Sequence, residues 1–237
     1  MIKQYKRGLV LLTVIVTLAV HAFAVAADQP SGWFLSDYAK LKPTSDDPGA
    51  SWLYVAPGAI EKMADYNAIM IDQPEISIAE DSKYKGMKAN DMAALADGLR
   101  AAVARELEGA YLVVDQAGPN VIYMRIAVVD LHLKKKKKNV LGYTPIGLVA
   151  GGAKSLISKD VAKKMSLQDM RVELEVQDSQ TGEQLLAIIE PRSGGEADPA
   201  SWEELESLMV RYGKRARCRF DNMRLPEDQR VDCIKTS

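Results

Sequence analysis

The stretch from Met170 to Glu190 reads MRVELEVQDSQTGEQLLAIIE, and it constrains the fold more than any other. Met170, Val172, Leu174 and Val176 alternate with Arg171, Glu173, Glu175 and Gln177. Successive side chains of a strand point to opposite faces, so a period of two gathers the apolar set on one face. The spacing predicts a strand buried on one side and wetted on the other. DSQTGE then reads as a hairpin loop, in which Asp178 can hold the turn and Gly182 can take positive φ. QLLAIIE is the returning strand.

Other elements attach to this hairpin. VIYMRIAVVDLHL is a long strand whose two alternating sets are both mostly apolar, as expected when both faces are partly covered. SWLYVAP reads as a short strand, and NAIMIDQPEISI as a strand interrupted near Pro74. YLVVD is another strand, followed by the turn QAGPN. In NDMAALADGLRAAVARELEG, Met92, Leu95, Leu99, Val103 and Leu107 recur in steps of three and four, which predicts a helix. Asn90 or Asp91 can cap its start and Gly109 its end. A last helix is expected from about Pro199, capped by Asp198 or by Ser201 with Glu204. It carries Trp202, Leu205, Met209, Tyr212, Ala216, Phe220 and Met223 on one face, and Pro226 ends it. These elements predict an α+β fold, with helices packed on one face of an antiparallel sheet. The turn-rich N-terminal stretch holds Trp33, Phe34, Tyr38, Trp52 and Tyr54, too many aromatics for a free tail. It is expected to wrap over the core, and the rival reading is an exposed aromatic patch that meets a partner.

The N-terminus sets the compartment. Lys3, Lys6 and Arg7 precede the apolar stretch from Leu9 to Val20, and Ala22-Phe23-Ala24 and Ala24-Val25-Ala26 follow. That order is a secretory leader, with cleavage expected after Ala26 or Ala27. The competing reading is a retained anchor. Domain organisation follows as a leader at residues 1–27 and one domain at residues 28–237. The leader holds three of the 31 basic residues and none of the 32 acidic ones, so the mature chain of 210 residues has net charge −4. A mildly acidic exported chain is not a general nucleic-acid binder, whose affinity comes from phosphate neutralisation. Cys218 and Cys233 form an even count in an exported chain, which favours a disulfide over two free buried thiols.

Chemistry is sparse. His132 is the single histidine outside the leader, and it sits in strand periodicity. No serine triad, zinc motif or cysteine–histidine ligand spacing is present, so no catalytic residue, cofactor or metal is assigned. The acidic groups at Ser45–Asp47, Glu80–Ser82 and Glu203–Leu205 lie in loops or on a helix face, where solvation is the default. Gly147 to Gly152 has the glycine gap of a phosphate loop, but Ala153 stands where its lysine belongs and the lysine is displaced to Lys154. The segment reads as a connection into a short amphipathic helix from about Leu148 to Met165. Before it run Lys134, Lys135, Lys136, Lys137 and Lys138. Two readings of that run stand. It is a solvated tip whose charge blocks edge pairing, or it touches anionic lipid heads or an acidic partner.

SGWFLSDYAKLKP, YVAPG, LADGLRAAVARELEG, VIYMRIAVVDL and RVELEVQDSQTGEQLLA together resemble domain-of-unknown-function family 3313, a bacterial envelope family whose members are described as lipoproteins. The resemblance spans nearly all of the mature chain and implies no activity. The region AFAVAAD lacks the cysteine that lipid-anchored members carry at the cleavage site, so a periplasmic form without a lipid anchor is expected, with outer-membrane association open. The expected function is a non-enzymatic binding or assembly module whose partner is an envelope protein or an anionic membrane surface. The alternative is a small-ligand binder or hydrolase with a dispersed site. Trp33, Phe34, Tyr38 and Lys134 to Lys138 are the candidate contact residues.

Overall fold

The computed structural model describes residues 29–44, 51–135, 165–167, 169–193 and 202–233. The leader, Lys136, Lys137 and Lys138, the glycine-rich segment with its expected helix as far as residue 164, and the caps Asp198 and Ser201 lie outside the described residues, whereas Met165, the expected end of that helix, begins a strand.

The fold is α+β. The hairpin is formed by β9 (Asp169–Asp178) and β10 (Gln184–Ser193), antiparallel, with Leu174 opposite Ile188 and Val176 opposite Leu186. Asp178 Oδ1 accepts the backbone N–H groups of Gln180 and Thr181 at 2.9 and 2.7 Å, and Gly182 takes φ 71°. The long strand β6 (Val121–Leu131) lies antiparallel on the other side of β9. Beyond β10 come β2 (Trp52–Val55) and β1 (Lys42–Pro43). On the far side of β6 lie β3 (Ala68–Ile71) and then β5 (Leu112–Val114), and β4 (Glu75–Ile78) also pairs with β6. A separate two-stranded sheet joins β7 (Leu133–Lys135) to β8 (Met165–Leu167).

The main sheet is mixed, which corrects the expectation of an antiparallel one. β3 runs parallel to β5 and to β6, and β4 runs parallel to β6. The reason lies in the order strand, helix, strand. A helix between β4 and β5 supplies the long crossover that parallel neighbours need, whereas a tight turn would have given antiparallel pairing. Pro74 falls between β3 and β4, where the chain steps from one part of β6 to the next.

Helix α1 (Ala59–Met63) is one short turn. Helix α2 (Ala89–Leu107) buries Leu95, Leu99, Val103 and Leu107, as its spacing predicts. Lys88 occupies its N-cap with no side-chain hydrogen bond, and Asn90 and Asp91 already lie within the first turn. Gly109 follows its end at φ 84°. Helix α3 (Trp202–Met223) crosses α2 closely at Gly213, where a Cβ would stand 2.9 Å from Glu106 Cγ and 3.0 Å from the Ala102 carbonyl. Both helices cover one face of the sheet. Ala216 and Phe220 join the α2 residues over Met124, Ile126, Val128, Val172, Leu174, Val176, Leu186 and Ile188.

The other face departs from expectation. Glu173 and Glu175, read as solvent-facing, are 0% exposed. Phe34, Leu35 and Leu41 are buried with Ala127, Val129, Ala187 and Ile189 in a second cluster on that face. β9 is thus buried on both sides, apolar toward the helices and acidic toward residues 33–41.

Candidate functional site

The most organised polar assembly lies where SGWFLSDY meets the two buried glutamates. Glu175 accepts the Ser36 backbone N–H at 3.0 Å, the Gln184 side-chain amide at 2.7 Å and Arg125 Nη1 at 2.7 Å. The Arg125 guanidinium also lies 4.6 Å from the centre of the Phe34 ring, a cation–π contact. Three donors satisfy Glu175, as a buried carboxylate requires.

Glu173 is held differently. Tyr38 Oη donates a short hydrogen bond to its Oε2. The Tyr38 oxygen in turn accepts the backbone N–H groups of Phe34 and Leu35, each at 3.3 Å, which directs its proton toward Glu173. Arg171 Nε stands 2.9 Å from Glu173 Oε1 as an ion pair, yet its angle falls short of a hydrogen bond, so Oε1 is buried without a directed donor. Arg171 also reaches Asp130 at 3.3 Å. Burial raises the Glu173 carboxyl above its ordinary value, against the lowering effects of Tyr38 and Arg171. Burial, then the bond to Glu173, pushes the Tyr38 hydroxyl up to about 12.

The local sequence explains the clamp. Gly32 is required because a Cβ there would overlap the Tyr38 hydroxyl. Gln29 Nε2 donates to the carbonyls of Tyr38 and Leu41 at 2.6 and 3.2 Å, which closes the segment on itself. With Phe34 turned inward, Trp33 is left 60% exposed, its ring edge-on to Phe34 at 6.0 Å. Of the three aromatic contact candidates, Trp33 alone stands in solvent; Phe34 is buried and Tyr38 holds Glu173.

A second assembly lies on the helix face. An apolar crevice is lined by Leu99, Val103, Ile126, Leu174 and Tyr212, with Glu190 and Arg219 in its wall. Glu190 pairs with Arg219 and, at 3.3 Å, with Arg215. Other basic groups of α3 and its tail also serve the fold. Arg217 Nη1 donates to the carbonyls of Glu106 and Glu108 at the end of α2, and Arg224 donates to the Tyr66 carbonyl.

The remaining sequence candidates fall elsewhere. Lys134 and Lys135 lie on β7, paired with Ser166 and Met165. His132 bridges the Asp130 carbonyl and Asp81 Oδ1, each at 2.8 Å. Cys218 and Cys233 form the expected disulfide. Among the described residues no group of three metal-ligating side chains occurs. Sequence reasoning missed Glu173, Glu175, Arg125 and Glu190. The signal that could have found the first two is the apolar second face of the neighbouring strands, at Ala127 and Val129 on β6 and at Ala187 and Ile189 on β10.

A family model described as "Protein of unknown function (DUF3313)" matches residues 30–217, which include the clamp and both long helices up to Arg217. This chain belongs to the DUF3313 family. The match begins at Pro30, so the sheet residues that meet Phe34 and Tyr38 fall within the DUF3313 region and Gln29 just precedes it. No curated protein matches the sequence. Among solved structures, the DUF3313 chain is similar to the PelC dodecamer from Paraburkholderia phytofirmans, at 12% identity over 67% of this chain and 89% of that one, with a TM-score of 0.33. It is also similar to a homologue of a neuraminyllactose-binding hemagglutinin from Helicobacter pylori, at 12% identity over 77% of this chain and 95% of that one, with a TM-score of 0.32. At these scores neither likeness bears on function.

Proposed function

We propose that this DUF3313 chain is an exported envelope protein that works by binding rather than catalysis, docking another envelope component in the periplasm or at the outer membrane without a lipid anchor. The observation that carries the reading is Trp33. It is an exposed tryptophan on a segment anchored by Tyr38, Ser36 and Phe34, and so pays little ordering entropy on contact. The Cys218–Cys233 disulfide supports an oxidising compartment. Photo-crosslinking in cells from position 33 should capture one discrete partner, while Val231, 52% exposed, serves as the control position. Equal capture from both positions, or none from position 33, would remove the reading.

The lysine run is a second, weaker contact in the same proposal. Changing Lys134 to Lys138 to serine should weaken association with anionic vesicles at low salt. Vesicle binding that is unchanged across a salt series would assign the run to a solvated tip.

The small-ligand reading has the helix-face crevice in its favour. Its walls are mostly apolar and its one carboxylate, Glu190, is engaged by two arginines, which suits a structural ion cluster better than an acid–base catalyst.

A further inference from the structure

We infer that residues 32–38 form a proton-operated latch, closed over the sheet in mild acid and loosened as the pH rises out of that range. Its bearing on docking rests on the reading of Trp33 given above; the latch itself stands on the geometry around Glu173.

Glu173 is fully buried with the arm lying over it. Its one directed hydrogen bond comes from the arm, through Tyr38, and its other oxygen has the charge of Arg171 nearby but no aligned donor. Glu175 differs, because Arg125 and Gln184 of the sheet hold it in addition to Ser36. The charged and titratable groups around Glu173 are Tyr38 from the arm, Arg171 and Glu175 from its own strand, and Asp130 and Arg125 from β6. β10 presents Ala187 and Ile189 there, which do not titrate.

Opening the arm returns Glu173 toward water beside Arg171, where burial no longer raises its carboxyl. Closing the arm buries it, and burial outweighs the opposing donors, so the closed carboxyl binds its proton more tightly. Closure therefore takes up a proton between the two values. The closed arm is most stable below the open-state value and loses stability as the pH rises from there through the raised one. Phe34 and the edge-on Trp33 ride on the same segment, so the pH that frees Glu173 also frees Trp33 from its fixed pose.

Hydrogen exchange of residues 30–41 in the full chain, corrected for intrinsic rate, tests this between about pH 4 and about pH 8. Protection should fall with rising pH by up to about tenfold per unit, the limit for one proton. Glu173→Gln should give a flat profile. Tyr38→Phe removes a group that holds the Glu173 value down, so its midpoint should move to higher pH; it serves as the test if Glu173→Gln does not fold. A flat wild-type profile, a slope retained in Glu173→Gln, or an unmoved midpoint in Tyr38→Phe overturns the latch. Crosslinking from position 33 is scored apart: a sloping profile without a crosslink sinks the docking reading alone, and a flat profile with one sinks the latch alone.

Discussion

The two faces of the sheet are closed by different means, and β9 shows both on one strand. Toward the helices, Val172, Leu174 and Val176 meet the apolar side chains of α2 and α3, and the buried Glu190 beside them is paired with Arg215 and Arg219. Toward the arm, Glu173 and Glu175 take directed bonds from a tyrosine, a backbone N–H, a glutamine amide and Arg125, with Arg171 beside Glu173 as an unaligned ion pair. The first closure is strong and non-directional, because apolar burial depends on area. The second is directional and conditional, because a buried carboxylate is tolerable only while its partners stay in place. The helix face therefore sets global stability, and the arm face is suited to open without unfolding the rest.

The largest effect that tests this contrast is on the helix face. Leu99, 1% exposed, should cost about 2–5 kcal/mol when cut to alanine. Urea unfolding would show the loss as a lower midpoint, and hydrogen exchange would rise across α2, β6 and β9 together. A loss confined to α2 would break the comparison. On the arm face, Tyr38→Phe removes the hydrogen bond to Glu173 and should weaken closure of the arm by about 0.5–1.5 kcal/mol in mild acid, where the closed carboxyl carries its proton, and by about 1.5–3 kcal/mol once it is charged. Exchange should rise in residues 30–41 while the urea midpoint moves little. A fall in the midpoint as large as that of Leu99→Ala would mean that the arm is part of the global core. The smallest effect falls at the hairpin, which belongs to neither face. Burial works to raise the Asp178 carboxyl, but the donors from Thr181, Tyr66 and Gln180 together hold it below its ordinary 3.8. A depressed carboxyl contributes stability that is present above its unfolded value and lost as the pH falls through the folded one. Acid below about pH 3.8 should thus loosen the β9–β10 turn. Asp178→Asn should blunt that acid response, read as exchange at residues 179–183. An acid response equal to that of the natural chain would place the acid sensitivity elsewhere.

The helix face was legible because its pattern is local. The steps of α2 and the alternation of β9 each fall within one element, and the buried residues match them. The DSQTGE turn was legible for the same reason, since Asp178 bonds residues two and three positions on. The arm-face chemistry was not. Ser36 and Glu175 are 139 residues apart, and a single sequence carries no sign that one will cover the other. Alternating charge on β9 then looks like a wet face. The parallel strands were missed for a different reason. Their signal, the order of β3, β4, α2 and β5, was present in the chain, but the hairpin pattern of β9 and β10 was extended to the whole sheet. The aromatic segment reads as wrapped over the core, but what it meets there was not legible: Phe34 points inward onto Arg125 and the apolar cluster of Ala127 and Val129.

The Cys218–Cys233 bond has a consequence for the order in which the molecule can come apart. It closes a covalent ring that spans the last turns of α3, the short 3-10 turn at Glu227–Gln229 and Cys233, with Asn222 stitched to Val231 across the middle. A helix normally frays from both ends. Here the end near Met223 is tied to the chain that follows it, so unwinding has to begin at the Trp202 side. A pulling force arriving from the C-terminal side would be carried by the disulfide straight from Cys233 to Cys218, leaving the ring between them slack and placing the load on α3 beside Arg217.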